Sequence, residues 1–359
     1  MTMNVDALLA GPRGRRLCFE FAMACARRGT PDAQDAATAV AWAVYALGSG
    51  TLAQLFGDVK AERFVPPTVS PSQAAEAFAT IPLQSPSRAL LRDALADSVG
   101  NARYWQEADG ADRLAAEEDF SAPLRRVAEV IASGPDAGWW LSPVDERNQW
   151  ATPREGGGRP PAELGAELAA WRRHVLDDDV RAAAERPADV TANWSGEWWS
   201  TPPFGLVRTS RAFSDDGPAG LWFVEDSLGG DDAVALPVDA YPSRVIEIRS
   251  PEDWADLCRR HPLDVTASRR HDWYRVTGRD GRWVIPDWSG VATEADGVHL
   301  TVTGYLSAAT RSIDLDGSHA SVLAGWNPDE TYWFRGVSAR PADQERWRRD
   351  DGVWRRERD

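Results

Sequence analysis

Residues 298–303 read VHLTVT, and apolar and polar side chains alternate along them. Because successive side chains of a β-strand point to opposite faces, the three apolar residues share one face, while His299, Thr301 and Thr303 share the other. The alternation predicts a half-buried strand that continues to Tyr305. Its polar face meets either water or a ligand.

Short apolar runs of this kind, separated by Gly, Pro and Asp, occupy the chain from about residue 190 onward. They predict a mixed, mainly antiparallel sheet. One helix is predicted among them, since Ser250 is a good N-cap and Pro251 fits the first helical position; it ends near Arg260. The predicted strands are 206–213, 220–225, 233–238, 244–249, 273–277, 282–285, 298–305, 322–326 and 331–335.

The first half of the chain has a helical pattern instead. Pairs such as Thr30-Pro31 and Ser70-Pro71 mark helix starts, because Ser or Thr caps free amides and proline fits the first turn. The predicted helices are 13–28, 31–47, 71–80, 86–106, 123–132 and 161–185.

Together these patterns predict an α+β protein in three parts. Residues 1–190 form a mostly helical domain, and residues 191–338 form an α+β sheet domain rich in tryptophan. Residues 339–359 are a charged C-terminal tail, read as an amphipathic helix or a loose tail because arginines and acids alternate there. The glycines at 156–158 indicate a flexible linker rather than a phosphate-binding loop, since no strand or Gly-Lys-Ser/Thr motif accompanies them.

Charge excludes several classes of function. The chain has 40 basic and 55 acidic residues and a net charge of −15, so duplex nucleic acid is not expected as a partner. Lys60 is the only lysine, which argues against lysine Schiff-base and P-loop chemistry. The sequence leaves a small-molecule ligand as the expected partner.

Cysteine usage and hydropathy favour a cytoplasmic protein. Cys18, Cys25 and Cys258 do not form a C-x-x-C pair or a disulfide framework. Cys18 and Cys25 are expected on one face of a helix, as buried thiols rather than a redox couple. The apolar run around them is too short for a membrane span and does not have the pattern of a signal peptide.

Tryptophan is unusually abundant, with 18 residues. The simplest explanation is packing, because each indole buries a large area. Alternatively, two or three tryptophans line a pocket and stack on a planar ligand. Segment 194–199, which contains Trp198 and Trp199, and segment 138–150 are the candidates for that role.

No motif fixes a chemistry. None of the five histidines stands at the close spacing of two metal ligands on one element, so no metal site is predicted. A G-x-S-x-G nucleophile motif is also missing from the sequence.

The C-terminal half resembles the ADP-ribosyltransferase fold over at most residues 200–336. Arg208 and Ser210 lie on an early strand, Tyr305 follows the alternating strand, and Glu330 begins the last strand. The family's Glu-x-Glu pair is replaced here by Asp329 and Glu330 side by side, and its Ser-Thr-Ser strand has no clear counterpart. The chain as a whole also resembles uncharacterised tryptophan-rich bacterial proteins, which implies no activity.

This resemblance implies NAD as the ligand. Arg208 and Ser210, with Trp198 and Trp199, would bind the dinucleotide. The implied catalytic residues are Glu330, which would stabilise the positive centre left when nicotinamide departs, Tyr305, which would stack, and His299.

Two classes of function follow. The first is an NAD-consuming transferase or glycohydrolase with a Trp-lined cleft, from which sequence does not separate a tailoring enzyme that acts on a small planar substrate. The second is a non-catalytic protein that binds a small ligand or another protein. A deep cleft that holds Glu330, His299 or Tyr305 favours the first class, and an exposed aromatic patch without titratable groups favours the second.

Overall fold

The structure is a computed structural model that describes residues 3–48, 66–153, 163–227, 229–242 and 244–357. A helical N-terminal part is followed by mixed sheets with several helices, which confirms the predicted α+β class. The chain forms two compact units, one of Met1–Ser98 and Glu107–Gly138 and the other of Val99–Gln106 and Trp139–Asp359. The predicted boundary near residue 190 lies inside the second unit.

The N-terminal helices begin where the sequence places hydroxyl and proline residues. Ser70 accepts a hydrogen bond from the Gln73 amide, and the Gln73 side chain accepts one from the Ser70 amide, a reciprocal cap. The predicted helices 31–47 and 71–80 are confirmed, whereas the one predicted over 86–106 ends at Gly100. The helices are α1 (Val5–Ala10), α2 (Pro12–Arg27), α3 (Pro31–Leu47), α4 (Pro71–Thr80), α5 (Arg88–Gly100), α6 (Gly110–Ala116) and α7 (Ser121–Ser133).

Helix α2 forms the centre of the first unit. Its Phe19 ring stacks on Phe78 with the ring centroids 5.6 Å apart, and Phe78 also contacts Phe120. Cys18 and Cys25 are buried in the same helix, as predicted, and are free thiols. Aromatic and small side chains therefore pack α2 against its neighbours.

The second unit contains the strands. They are β1 (Gln149–Ala151), β2 (Val207–Thr209), β3 (Ala212–Phe213), β4 (Gly217–Pro218), β5 (Asp232–Ala240), β6 (Val245–Ile248), β7 (Pro262–Asp264), β8 (Arg282–Pro286), β9 (Gly297–Leu300), β10 (Ile313–Asp314), β11 (His319–Ser321), β12 (Thr331–Trp333), β13 (Val337–Ala339), β14 (Glu345–Asp350) and β15 (Val353–Arg356). Its helices are α8 (Leu164–Glu185), α9 (Ala219–Trp222), α10 (Pro251–Arg260), α11 (Thr266–Thr277), α12 (Trp288–Glu294) and α13 (Val302–Ala308).

These strands form three larger sheets and the small pair β3–β4. One sheet has the order β1-β5-β14-β15 with β13 also paired to β5, the second β10-β11-β8-β7, and the third β2-β12-β9-β6. Among the described strands only β6–β9 and β8–β11 pair in parallel. The expectation of a mixed, mainly antiparallel arrangement is confirmed.

Only the first half of the alternating stretch 298–303 is a strand. β9 ends at Leu300, because the Thr301 hydroxyl accepts a hydrogen bond from the Gly304 amide at 3.0 Å and caps α13. Gly304 has no side chain, so the helix can approach the Ile248 carbonyl oxygen, which a Cβ atom would meet at 2.3 Å. Six alternating residues do not distinguish a strand from a strand followed by a capped helix.

Three further predicted strands are wrong. Residues 273–277 lie in α11, whose first turn is fixed when the Thr266 amide donates to Asp264 at 2.9 Å. Residues 220–222, the first half of another predicted strand, lie in the short helix α9. The strand predicted at 322–326 is also misplaced, because the nearby strand β11 ends at Ser321. Short apolar runs fit a buried helix and a strand equally well.

The C-terminal segment is a β-hairpin, not the predicted amphipathic helix or loose tail. Strand β14 pairs with β15, and its other edge pairs with β5. The turn contains Asp351 and Gly352 with φ values of 48° and 77°, the left-handed pair that two-residue hairpin turns require. Trp347 and Trp354 are both buried, at 6% exposure each.

Packing explains many of the tryptophans. The largest fully buried side chains include Trp140, Trp254, Trp273, Trp283, Trp288, Trp326 and Trp333.

Within the described ranges, no helix combines the length and apolar character that crossing a membrane requires.

Candidate functional site

Two residues singled out by the sequence, Arg208 and Glu330, lie on neighbouring strands. In the β2–β12 pair, Tyr332 is opposite Arg208 and Thr331 is opposite Thr209. Glu330, one residue before Thr331, therefore lies beside Ser210. Since side chains two apart on a strand share a face and opposite partners share it too, Arg208, Ser210 and Glu330 point to the same side of the sheet.

That side of the sheet borders a cavity of about 500 Å³, a volume typical of small-molecule sites. Strands β2, β5, β14 and β15 and the turn before β12 contribute its walls. The lining residues are Thr152, Pro153, Arg208, Thr209, Ser210, Gly220, Leu221, Val224, Gly229, Gly230, Asp232, Ala233, Val234, Asn327, Pro328, Glu330, Arg346, Trp347, Trp354 and Glu357.

The Glu330 carboxylate is only partly satisfied. Its Oε1 atom accepts a hydrogen bond from the Asn327 side-chain Nδ2 at 3.3 Å and lies 4.0 Å from the Arg208 guanidinium. Its Oε2 atom is buried without a hydrogen-bond partner in the described part of the chain. Because a buried acceptor without a donor is costly, the Glu330 carboxylate keeps unused hydrogen-bonding capacity at the cavity wall.

Arg208 is held as a cation at the cavity wall. Its guanidinium lies 5.8 Å from the ring centroids of both Phe204 and Tyr332. Burial alone would lower the pKa of Arg208, but the neighbouring Tyr332 and Glu330 outweigh that effect and raise it. The side chain therefore stays charged and available to an anionic group.

The C-terminal hairpin supplies aromatic and basic residues that the sequence analysis did not assign to a site. Trp347 and Trp354 line the cavity, and the exposed Arg346 lies at the same wall. The hairpin itself is predictable from the sequence, because Asp351-Gly352 between two possible strands is a strong pattern for a hairpin turn. That the hairpin packs against β5 and faces Glu330 is a tertiary fact that no local pattern contains.

His299 lies on the other face of the sheet and does not line the cavity. It is 1% exposed, with Nδ1 2.7 Å from Glu247 Oε2 and Nε2 3.4 Å from Asp329 Oδ1. Burial alone would lower the pKa of His299, but its hydrogen bonds to the two carboxylates raise it above the usual value. The histidine is thus a buried link between two acids.

Asp329 completes this buried network. Its Oδ1 accepts a hydrogen bond from Arg211 Nε at 2.7 Å, and its Oδ2 accepts one from the Arg211 backbone amide at 3.0 Å. Although burial would raise the pKa of Asp329, His299 and Arg211 lower it. Asp329 and Glu330 are consecutive, yet one carboxylate joins the His299 network and the other lines the cavity.

The remaining predicted residues pack against other side chains, Tyr305 as a buried residue and Trp198 and Trp199 as half-buried ones. Tyr305 is buried in α13. Trp198 stacks on Tyr104 with centroids 5.4 Å apart, and Trp199 packs on Phe204 at 5.5 Å. The structure brings Arg208, Ser210 and Glu330 together in one cavity, and it places His299, Tyr305, Trp198 and Trp199 outside its lining.

In the described residues, no group of three or more His, Cys, Asp or Glu side chains is arranged to hold a metal ion.

Comparisons of the chain with protein-family models, with curated protein sequences and with solved structures give no significant match.

Proposed function

We propose that the cavity binds NAD and that the protein breaks the bond between ribose and nicotinamide, as a glycohydrolase or an ADP-ribosyltransferase. The observation that carries the proposal is the Glu330 carboxylate, with one buried oxygen unsatisfied, beside Arg208 in a cavity of about 500 Å³.

The chemistry suits a site with one buried carboxylate. When the bond from ribose carbon to nicotinamide nitrogen breaks, the electron pair goes to the positively charged ring, which leaves as neutral nicotinamide without being protonated. The ribose carbon becomes positive and is stabilised by Glu330. Water or an acceptor nucleophile then adds to that carbon and releases a proton, so no histidine in the cavity is required.

The other walls fit the rest of such a substrate. Arg208 and Arg346 supply guanidinium groups for the diphosphate. Trp347 and Trp354 offer aromatic surface to a planar ring, and Ser210 offers a hydroxyl. In this proposal the hairpin takes over the stacking role that the resemblance implied for Tyr305.

A second candidate is a protein that binds a small ligand without turning it over. The observation in its favour is that His299 and Tyr305, two of the three predicted catalytic residues, do not line the cavity. Both candidates share the binding step and differ in what Glu330 does afterwards.

Binding is tested first, by thermal shift of the purified protein with NAD, ADP-ribose, nicotinamide, adenine nucleotides and S-adenosylmethionine. A ligand that binds only the folded protein raises the midpoint by mass action, and we expect NAD to do so. Arg208→Gln should weaken this shift. No shift with NAD or ADP-ribose would overturn the proposal.

Turnover is tested by release of nicotinamide. We expect Glu330→Gln to keep NAD binding and to lose at least about 100-fold in rate, the range seen when one transition-state-stabilising group is removed. Glu252→Gln makes the same chemical change at an exposed position in α10 that does not line the cavity, and it should keep the full rate. Binding by the wild type without nicotinamide release would select the non-catalytic candidate.

A further inference from the structure

We infer that His299, as a doubly protonated imidazolium, is a positioning residue for Glu330: it ties Glu247 to Asp329 and thereby fixes the turn that presents Glu330 to the cavity. The inference rests on the proposed role of Glu330 and adds to it a mechanism of control. His299 itself does not line the cavity.

The protonation state follows from geometry. Both ring nitrogens of His299 face carboxylate oxygens, Nδ1 toward Glu247 at 2.7 Å and Nε2 toward Asp329 at 3.4 Å. Carboxylates only accept hydrogen bonds, and a neutral imidazole has a single N–H, so it would leave one carboxylate against a lone pair. The imidazolium donates to both.

Charge balance points the same way. The charged groups that contact His299 are Glu247 from β6 and Asp329 from the turn before β12, and Asp329 is also bound by Arg211. With His299 protonated, two cations balance two carboxylates in a buried cluster. Without that proton the cluster has an uncompensated negative charge, which burial makes costly.

The protonation state of His299 should affect Glu330 through Asp329, because Asp329 is the preceding residue and its backbone is constrained. Its φ of 61° is unusual for a residue with a side chain, so its side-chain bonds must hold it there. The Asp329 amide donates to the Leu300 carbonyl at 2.8 Å, and the Leu300 amide donates to the Glu330 carbonyl at 3.1 Å. Loss of the His299 proton should therefore loosen the turn and move the Glu330 carboxylate.

The wild-type protein provides a test that needs no ligand. The Trp326 indole N–H donates to the Glu330 carbonyl at 3.0 Å, so its NMR resonance, assigned with Trp326→Phe, reports the turn. We expect the His299 ring to titrate above its usual pKa of about 6.5 and the Trp326 resonance to shift with the same midpoint. A neutral His299 ring at pH 6, or a Trp326 resonance that ignores its titration, would overturn the inference.

Variants separate positioning from a purely structural role. NAD affinity of the wild type should fall as His299 loses its proton. In His299→Gln, affinity should be about tenfold weaker and flat across that pH range, since a neutral amide replaces the cation that links the two carboxylates. His319→Gln is the matched control, because His319 also lies 2.9 Å from a carboxylate, that of Asp316, but in another sheet; it should keep the wild-type affinity and pH profile.

The two proposals fail in distinguishable ways. If the wild type does not bind NAD, the proposed function fails while the Trp326 titration still decides whether His299 controls the turn. If NAD binds but its affinity has the same pH profile in wild type and His299→Gln, the positioning role is wrong and the proposed function stands.

Discussion

Both compact units bury arginine beside carboxylates, but the carboxylates differ in how many of their oxygens are hydrogen-bonded. In the helical unit, Arg16 binds Glu20 at 2.7 Å and Asp109 at 3.0 Å, and Arg13 pairs with Asp112. In the cavity of the sheet unit, Arg208 and Glu330 are 4.0 Å apart and Glu330 Oε2 has no partner in the described residues.

This difference distinguishes a structural cluster from a binding site. A closely hydrogen-bonded cluster holds elements in register, and removing one member leaves a buried charge uncompensated. A partly satisfied carboxylate at a cavity wall keeps hydrogen-bonding capacity for a ligand. The four predictions below test the comparison, from the largest expected effect to the smallest.

The stability of each unit can be compared through its buried thiols. Cys18 lies in α2 and Cys258 in α10, and burial raises the pKa of Cys258 to about 12. In single-cysteine variants we expect thiol labelling of the native protein to be at least about 1,000-fold slower than of the unfolded chain. With increasing urea, Cys18 and Cys258 should become reactive at different midpoints; a shared midpoint would show that the two units unfold together.

Breaking the helical cluster should cost the most stability of any single substitution proposed. Asp112→Asn removes a buried carboxylate that pairs with both Arg13 and Arg16, so we expect the free energy of unfolding to fall by about 3–5 kcal/mol in urea denaturation. Asp256→Asn, at an ion pair whose aspartate side chain is 71% exposed, is the control and should cost less than about 1 kcal/mol. Similar losses in both variants would contradict a structural role for the cluster.

The His299 network should make the stability of the sheet unit depend on pH. Because the folded-state pKa of His299 is raised, its stabilising contribution is complete below the unfolded value of about 6.5 and is lost as pH rises through the folded value. If the pKa of His299 is one pH unit higher in the folded than in the unfolded state, the protonated histidine contributes about 1.4 kcal/mol to the free energy of unfolding. Unfolding followed by Cys258 labelling should show this loss in the wild type and a smaller one in Glu247→Gln.

The cavity carboxylate should matter little for stability. Because Glu330 is partly satisfied, we expect Glu330→Gln to change the free energy of unfolding by less than about 1 kcal/mol. Urea denaturation beside Asp112→Asn measures the contrast directly. A loss as large as that of Asp112→Asn would make Glu330 a structural residue and remove the basis for the comparison.

Sequence reasoning worked best where the determinants are local. Thr30-Pro31 and Ser70-Pro71 predict the starts of α3 and α4, because proline at the first helical position and a cap act only within the first turn. Ser70 makes the predicted cap hydrogen bond, whereas the Thr30 side chain makes none. It failed for residues 273–277 and 301–305, where a capped, buried helix has the same short apolar pattern as a strand.

Part of the candidate site was also predictable. Arg208, Ser210 and Glu330 were chosen from their strand positions, and the β2–β12 pairing places them at one cavity. His299 was chosen for its place on a polar strand face, but the face opposite Glu330 is filled by Glu247 and Asp329. Which polar face is solvated and which is buried depends on the layers packed above and below the sheet.

The sequence by itself determined the α+β class, the capped N-terminal helices and the burial of the thiols, since these depend on local periodicity and on the cost of exposing apolar groups. The tertiary structure alone decided that the C-terminal hairpin lines the cavity and that two consecutive acids, Asp329 and Glu330, serve different environments. Trp347 and Trp354 line one cavity with Glu330 although Glu330 precedes a strand of a different sheet, and such an arrangement is fixed by packing of the whole unit.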